Sequence, residues 1–150
     1  MFSTVRYAKL NPDAKPPFRK NPTDAGLDFY SCENITIPHH SMFIVHTGIA
    51  IEVPKNYFLL IKPKGKNNHL IGAGVVDAFY EPGEILIKIT NISDISLPIM
   101  IGDSIAQGIF IPIETPEPKE VSVEELQNNS SRSGKGGIAT QKAIPQELIR

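Results

Sequence analysis

Prolines and glycines fall so often along this chain that almost no helix of ordinary length fits between them. Thirteen prolines and eleven glycines are spread over 150 residues, and a proline inside a helix removes a donor and clashes with the preceding turn. The runs left between them are short and rich in Ile, Val and Phe: 27–31, 42–53, 57–62, 70–76, 84–92, 96–101 and 104–114. β-Branched and aromatic residues bounded by Gly, Pro or Asn read as strands. Short strands at this spacing imply a sandwich, jelly roll or barrel, so the expected class is all-β. Residues 11–22, with Pro12, Pro16, Pro17 and Pro22, read as an irregular extended entry. Only 121–128 reads as a short helix, with Ser122 at its N-cap and Glu124 and Glu125 in its first turn.

Composition narrows the function classes. With 41% hydrophobic and 21% charged residues the chain is that of one globular domain with a buried core. A net charge of -1 argues against a broad basic surface, hence against stable nucleic-acid binding. No apolar stretch reaches the length of a membrane span, and the N-terminal residues lack a signal peptide's apolar core. Cys32 is the single cysteine, so an internal disulfide is excluded and a reducing, cytoplasmic setting is expected. Beyond Pro112 the character changes: Pro116 and Pro118 stiffen a connector, and 127–137 are rich in Asn, Ser and Gly. We therefore expect a β domain over 1–126 and a flexible C-terminal arm over 127–150.

Four segments carry side chains suited to chemistry. In 73–84 an apolar run climbs to Asp77, Tyr80 follows, and Glu81-Pro82-Gly83 turns the chain before Ile85, Ile87 and Ile89 alternate as in a strand. This reads as a β-hairpin with a carboxylate and a ring near its tip; an ordinary exposed turn would look much the same. Thr23 to Phe29 sets Asp24 and Asp28 around a small-residue turn, which could be an Asx-type turn alone. Lys62, Lys64 and Lys66 crowd one short loop able to neutralise phosphates, or simply solvated. Gln107 stands among apolar neighbours after the turn at Gly102-Asp103, and a buried amide needs partners.

Taken in order, these segments resemble the five motifs of the trimeric dUTPase family. The matches are Ala25-Gly26-Leu27-Asp28, then Pro63-Lys64-Gly65, then Gly74-Val75-Val76-Asp77 with Tyr80. Gly102-Asp103-Ser104-Ile105-Ala106-Gln107 gives the fourth and Gly134-Lys135-Gly136-Gly137-Ile138-Ala139-Thr140 the fifth. The resemblance implies a distorted jelly-roll or β-clip fold with a mobile C-terminal arm. It also implies a homotrimer with shared sites that hydrolyses dUTP to dUMP and pyrophosphate with Mg2+. On that likeness Asp77 is the general base and Tyr80 packs under the deoxyribose. Backbone at Gly74 and Val75 reads the uracil edge. Lys64, Gln107, Arg132 and Lys135 meet the phosphates, while Gly137 and Ile138 belong to the covering arm. Asp28 serves the metal indirectly, through water.

The chain also departs from the family pattern. The second motif, usually Pro-Arg-Ser, reads Pro63-Lys64-Gly65, and lysine supplies charge without a bidentate fork. Ser104 stands at a common arginine, and Ile138 stands where a phenylalanine usually covers the base. Two alternatives follow. One is a nucleotide-binding protein of this fold without turnover. The other is a dCTP deaminase, whose essential acid would fall at about Lys88.

Overall fold

The computed structural model describes residues 3–64, 70–71, 74–78 and 83–127. Ten strands and one short helix follow in the order β1 (Tyr7–Lys9), β2 (Leu27–Tyr30), β3 (Ile35–Ile37), β4 (Met42–Ile51), β5 (Tyr57–Lys62), β6 (Leu70–Ile71), β7 (Gly74–Val76), β8 (Glu84–Thr90), β9 (Leu97–Ile99), β10 (Ser104–Pro112) and α1 (Val123–Gln127). The all-β expectation holds. Every ladder is antiparallel. One sheet runs β1-β4-β8-β6, a second β2-β10-β5-β7, and β3 with β9 forms a small third.

Alternation along the strands builds the core. β8 buries Ile85, Ile87 and Ile89 while Leu86 and Lys88 stay exposed. Val45, Ile49 and Ile51 of β4 join them, and Phe29, Leu59, Ile61, Ile105 and Ala106 of the second sheet close the same cluster. Each fully buried side chain of this size contributes roughly 1.5–3 kcal/mol. Buried polar groups are tied down. Asn91 Nδ2 donates to Ile37 O at 3.0 Å and Ile95 O at 2.7 Å, stitching the end of β8 to β3 and the loop before β9.

Two features differ from the sequence expectation. The single run expected at 70–76 is two strands, β6 and β7, in different sheets. The hairpin expected across 73–90 is likewise not a ladder: β7 pairs with β5, and β8 with β4 and β6. The reason is edge occupancy. β8 has β4 along one side and β6 at its end on the other, whereas β5 has β10 on one side and takes β7 on its open edge. β1 and β3 went unread because each is three residues long, and β1 is exposed throughout. The short helix lies at Val123–Gln127, where Ser122 Oγ accepts from Glu125 N at 3.4 Å. Contacts group residues up to Thr115 in one compact unit, and a second unit begins at Pro116.

β4 carries the sharpest local distortion. Between His46 and Ala50, four steps along β4 answer two along β8, from Leu86 to Glu84. Gly48 sits in this bulge with φ of +66°, and a Cβ there would stand 2.9 Å from Ala14 Cβ and 3.0 Å from Asn11 Cβ. Gly48→Ala thus combines a left-handed backbone with overpacking. It should lower unfolding free energy by roughly 2–4 kcal/mol, read as a drop in denaturant midpoint at unchanged m value.

Candidate active site

Two concavities hold the charged residues singled out above. The first is a cleft of about 350 Å³ lined by Lys20, Asp24, Ala25, Gly26, Asp28, Lys64 and Gln107. β2 brings Asp28 opposite Gln107 of β10, and Gln107 lies opposite Lys62 of β5, so the three form one row across the sheet. Residues paired across strands share a face and sit close enough to interact. Asp28 Oδ2 meets Lys64 Nζ at 2.8 Å, with the two side chains 18% and 24% exposed. Gln107 Nε2 donates to Pro63 O at 2.9 Å, fixing the strand end that delivers Lys64. The half-buried amide is therefore both a tether and a wall of the cleft.

Other parts of these motifs are structural. Asp24 Oδ2 accepts from Asn21 N and Asn21 Nδ2, both at 3.0 Å, and the Arg19 guanidinium donates to Asp24 O. Asp103 closes the turn into β10: its N donates to Met100 O at 3.0 Å and its Oδ2 accepts from Met100 N at 2.8 Å. Gly102, with φ of +87°, supplies the left-handed step of that turn. Ser104 Oγ is buried without a hydrogen-bond partner among the described residues.

Nearby groups feel this electrostatic setting. Burial, reinforced by the Asp28 carboxylate, pushes the Tyr30 phenol up from its usual range. Lys15 Nζ lies 4.0 Å from the centre of the Tyr30 ring. Burial also raises the Cys32 thiol, with Glu84, Glu33 and Asp13 adding to the effect, so that thiol is protonated and poorly nucleophilic near neutrality.

The second concavity is a cavity of about 230 Å³ lined by Ile51, Val53, Val76, Asp77, Gly83, Glu84, Ile85 and Leu86. It opens where β7 leaves for one sheet and β8 stays in the other. β7 is the outer strand of its sheet among the described residues, and β6 pairs with β8 at Ile89 and Thr90. A largely apolar slot with an exposed carboxylate suits a flat heterocycle on a polar chain.

One chain does not bring the two concavities together. Asp28 aligns with Gln107 and Lys62, whereas Asp77 lies beyond the end of β7, whose Gly74 aligns with Ile61. With strands ~4.8 Å apart and ~3.3 Å per residue, the backbones of Asp28 and Asp77 are roughly 20 Å apart. Among the expected site residues, Asp28, Lys64 and Gln107 share the cleft, and Asp77 lines the cavity. Gly74 and Val75 are placed in β7. Tyr80, Arg132, Lys135, Gly137 and Ile138 lie outside the described residues. Sequence reasoning missed Glu84, a cavity wall that nothing but its place after Gly83 marks out. It also missed Lys20, whose proline-flanked segment gives no strand signal.

Comparison with known proteins gives a consistent result. The dUTPase family model matches residues 13–139. The deoxyuridine 5'-triphosphate nucleotidohydrolase of Candida albicans is 37% identical over 134 residues, covering 87% of this chain and 82% of that one. The dUTPase of Staphylococcus bacteriophage 80alpha, solved with dUpNHpp, superposes with a TM-score of 0.81 at 27% identity, covering 90% of this chain and 96% of that one. A variant dUTPase from phage phi11 of S. aureus, solved with a structural Mg(II) ion, gives a TM-score of 0.74 at 26% identity, covering 79% of this chain and 97% of that one.

The cleft can be probed through Gly26, where an added Cβ would lie 2.8 Å from Gln107 Oε1 and 3.2 Å from Gln107 Cβ. Gly26→Ala should swing the carboxamide off Pro63 O, since the far end of a side chain moves more cheaply than backbone. The expected result is a shift of the Gln107 side-chain amide resonances with a stability loss of only about 1 kcal/mol.

Proposed function

The chain belongs to the dUTPase family, and from that premise we propose that it hydrolyses dUTP to dUMP and pyrophosphate. The observation that carries the reading is Asp77 lining an apolar cavity between β7 and β8. A pyrimidine ring enters that cavity, where backbone of β7 at Gly74 and Val75 is assigned to its polar rim. The Asp77 carboxylate takes a proton from water, and the water oxygen attacks the α-phosphorus. The bond from that phosphorus to its bridging oxygen breaks, and pyrophosphate leaves. Tyr80, three residues beyond Asp77, is assigned to the face of the deoxyribose, where it leaves no room for a 2′-hydroxyl.

Triphosphate charge falls to the cleft of Lys64, Lys20 and Gln107, with Arg132 and Lys135 of the arm over 127–150 assigned to the same anion. Among the described residues no group of three or more His, Cys, Asp and Glu side chains is placed to hold a metal ion. Asp28 already engages Lys64 at 2.8 Å. That arrangement fits a magnesium ion carried on the triphosphate and its waters, with Asp28 reaching it through water. Bound there, the ion would neutralise phosphate charge.

The separation of Asp77 from the Asp28–Lys64 pair supports a shared site. A base in the cavity of one copy extends its triphosphate towards the cleft of another, as in a homotrimer. No described helix is long and apolar enough to cross a membrane, and the buried Cys32 thiol suits a reducing cytoplasm. The deaminase alternative loses ground. Lys88, where that chemistry wants an acid, lies on the exposed face of β8 opposite Ile44.

Pyrophosphate release from dUTP with magnesium tests the reading. Asp77→Asn should lower kcat about 10²–10⁴-fold. Equal rates for wild type and variant would sink it. Shared sites predict complementation: Asp77→Asn chains refolded together with Lys64→Ala chains should regain activity that neither has alone. No recovery in mixed assemblies would place each site within one chain.

A further inference from the structure

At the β4 bulge, side chains add to the ladder that joins the first residues of β8 to β4, where Glu84 pairs with Ala50. Thr47 Oγ1 donates to Ile85 O at 2.6 Å and accepts from Ile49 N at 3.3 Å. Glu84 Oε2 takes His46 Nδ1 at 2.8 Å and Gly48 N at 3.4 Å. A carboxylate only accepts, so the imidazole proton sits on Nδ1. His46 is itself anchored at its backbone: its N donates to Glu33 Oε1 at 3.2 Å and its O accepts from Cys32 N at 3.0 Å. Glu84 and Ile85 are also walls of the cavity that holds Asp77.

We propose that His46 is a positioning residue for the nucleotide base, acting through Glu84 to hold the β8 wall of the cavity at its working width. The inference rests on the proposed function of that cavity. Glu84 is 24% exposed at its side chain and His46 50%, so the pair stands at the cavity rim. Without the His46 contact, the Glu84 end of β8 loses its side-chain tie to the β4 bulge, and the cavity wall it forms is no longer held in place. The effect should therefore fall on base binding and spare the chemical step at Asp77.

The test is steady-state kinetics on dUTP with calorimetric affinity for dUMP, read on the full chain. His46→Ala should raise KM and the dUMP Kd about three- to tenfold, with kcat within about twofold and thermal midpoint nearly unchanged. His46→Gln, which keeps a donor facing Glu84, should return both constants to within about twofold of wild type. Glu84→Ala should match His46→Ala, and the double variant should be no worse than either single one. Unchanged KM and Kd in His46→Ala, an equal defect in His46→Gln, or additive effects in the double variant would each overturn the proposal. If His46→Ala does not fold, Glu84→Ala reads the same contact from its other side. Wild type without turnover but binding dUMP refutes the hydrolase reading alone, and the Kd series then decides this one. Wild type that does neither overturns both.

Discussion

β8 has a strand on each side, and much of the molecule follows from that saturation. With β4 on one edge and β6 on the other at Ile89 and Thr90, β8 stays in the first sheet, and β7 completes the second against β5. The departing strand leaves the cavity lined by Val76 and Asp77 on one side and Gly83 to Leu86 on the other. On the proposed function, that parting doubles as the recognition surface for the base.

Charge is distributed by the same topology. Asp28 and Lys64 satisfy each other at 2.8 Å in a half-buried setting, where neither would be stable alone. Asp77 is exposed and far along the sheet from them. On the proposed function, a phosphate chain is met by cations at one end and by the Asp77 carboxylate at the other, without the two neutralising each other. The proposed site shared between copies would keep these opposed functions apart until substrate spans them.

The strands of the core were legible in the sequence because their alternation is strong. Ile85, Ile87 and Ile89 announce the buried face of β8, and Asp28, Lys64, Gln107 and Asp77 announced themselves through their motifs. What stayed hidden was pairing. Nothing local to Gly74–Val76 says that its partner is Leu59–Ile61 rather than the strand after the turn. Edge occupancy is a property of the whole sheet, and so is the bulge that makes Glu84 a cavity wall. His46 sits in no motif, and its partner Glu84 lies 38 positions away.

The register of the second sheet carries a consequence for how the chain reaches this state. Leu27 pairs with Gly108, and β5 pairs with the same strand at Ile61. β10 is thus the central rail on which β2 and β5 hang, and it is the last of the described strands to be made. During synthesis β4 and β8 can zip together first, but half of the core faces nothing until Ser104–Pro112 clears the ribosome. Contacts of such long span make for slow closure, and the waiting intermediate exposes Phe29 and Leu59 to its neighbours. Closure of this core is a late event, committed by one strand.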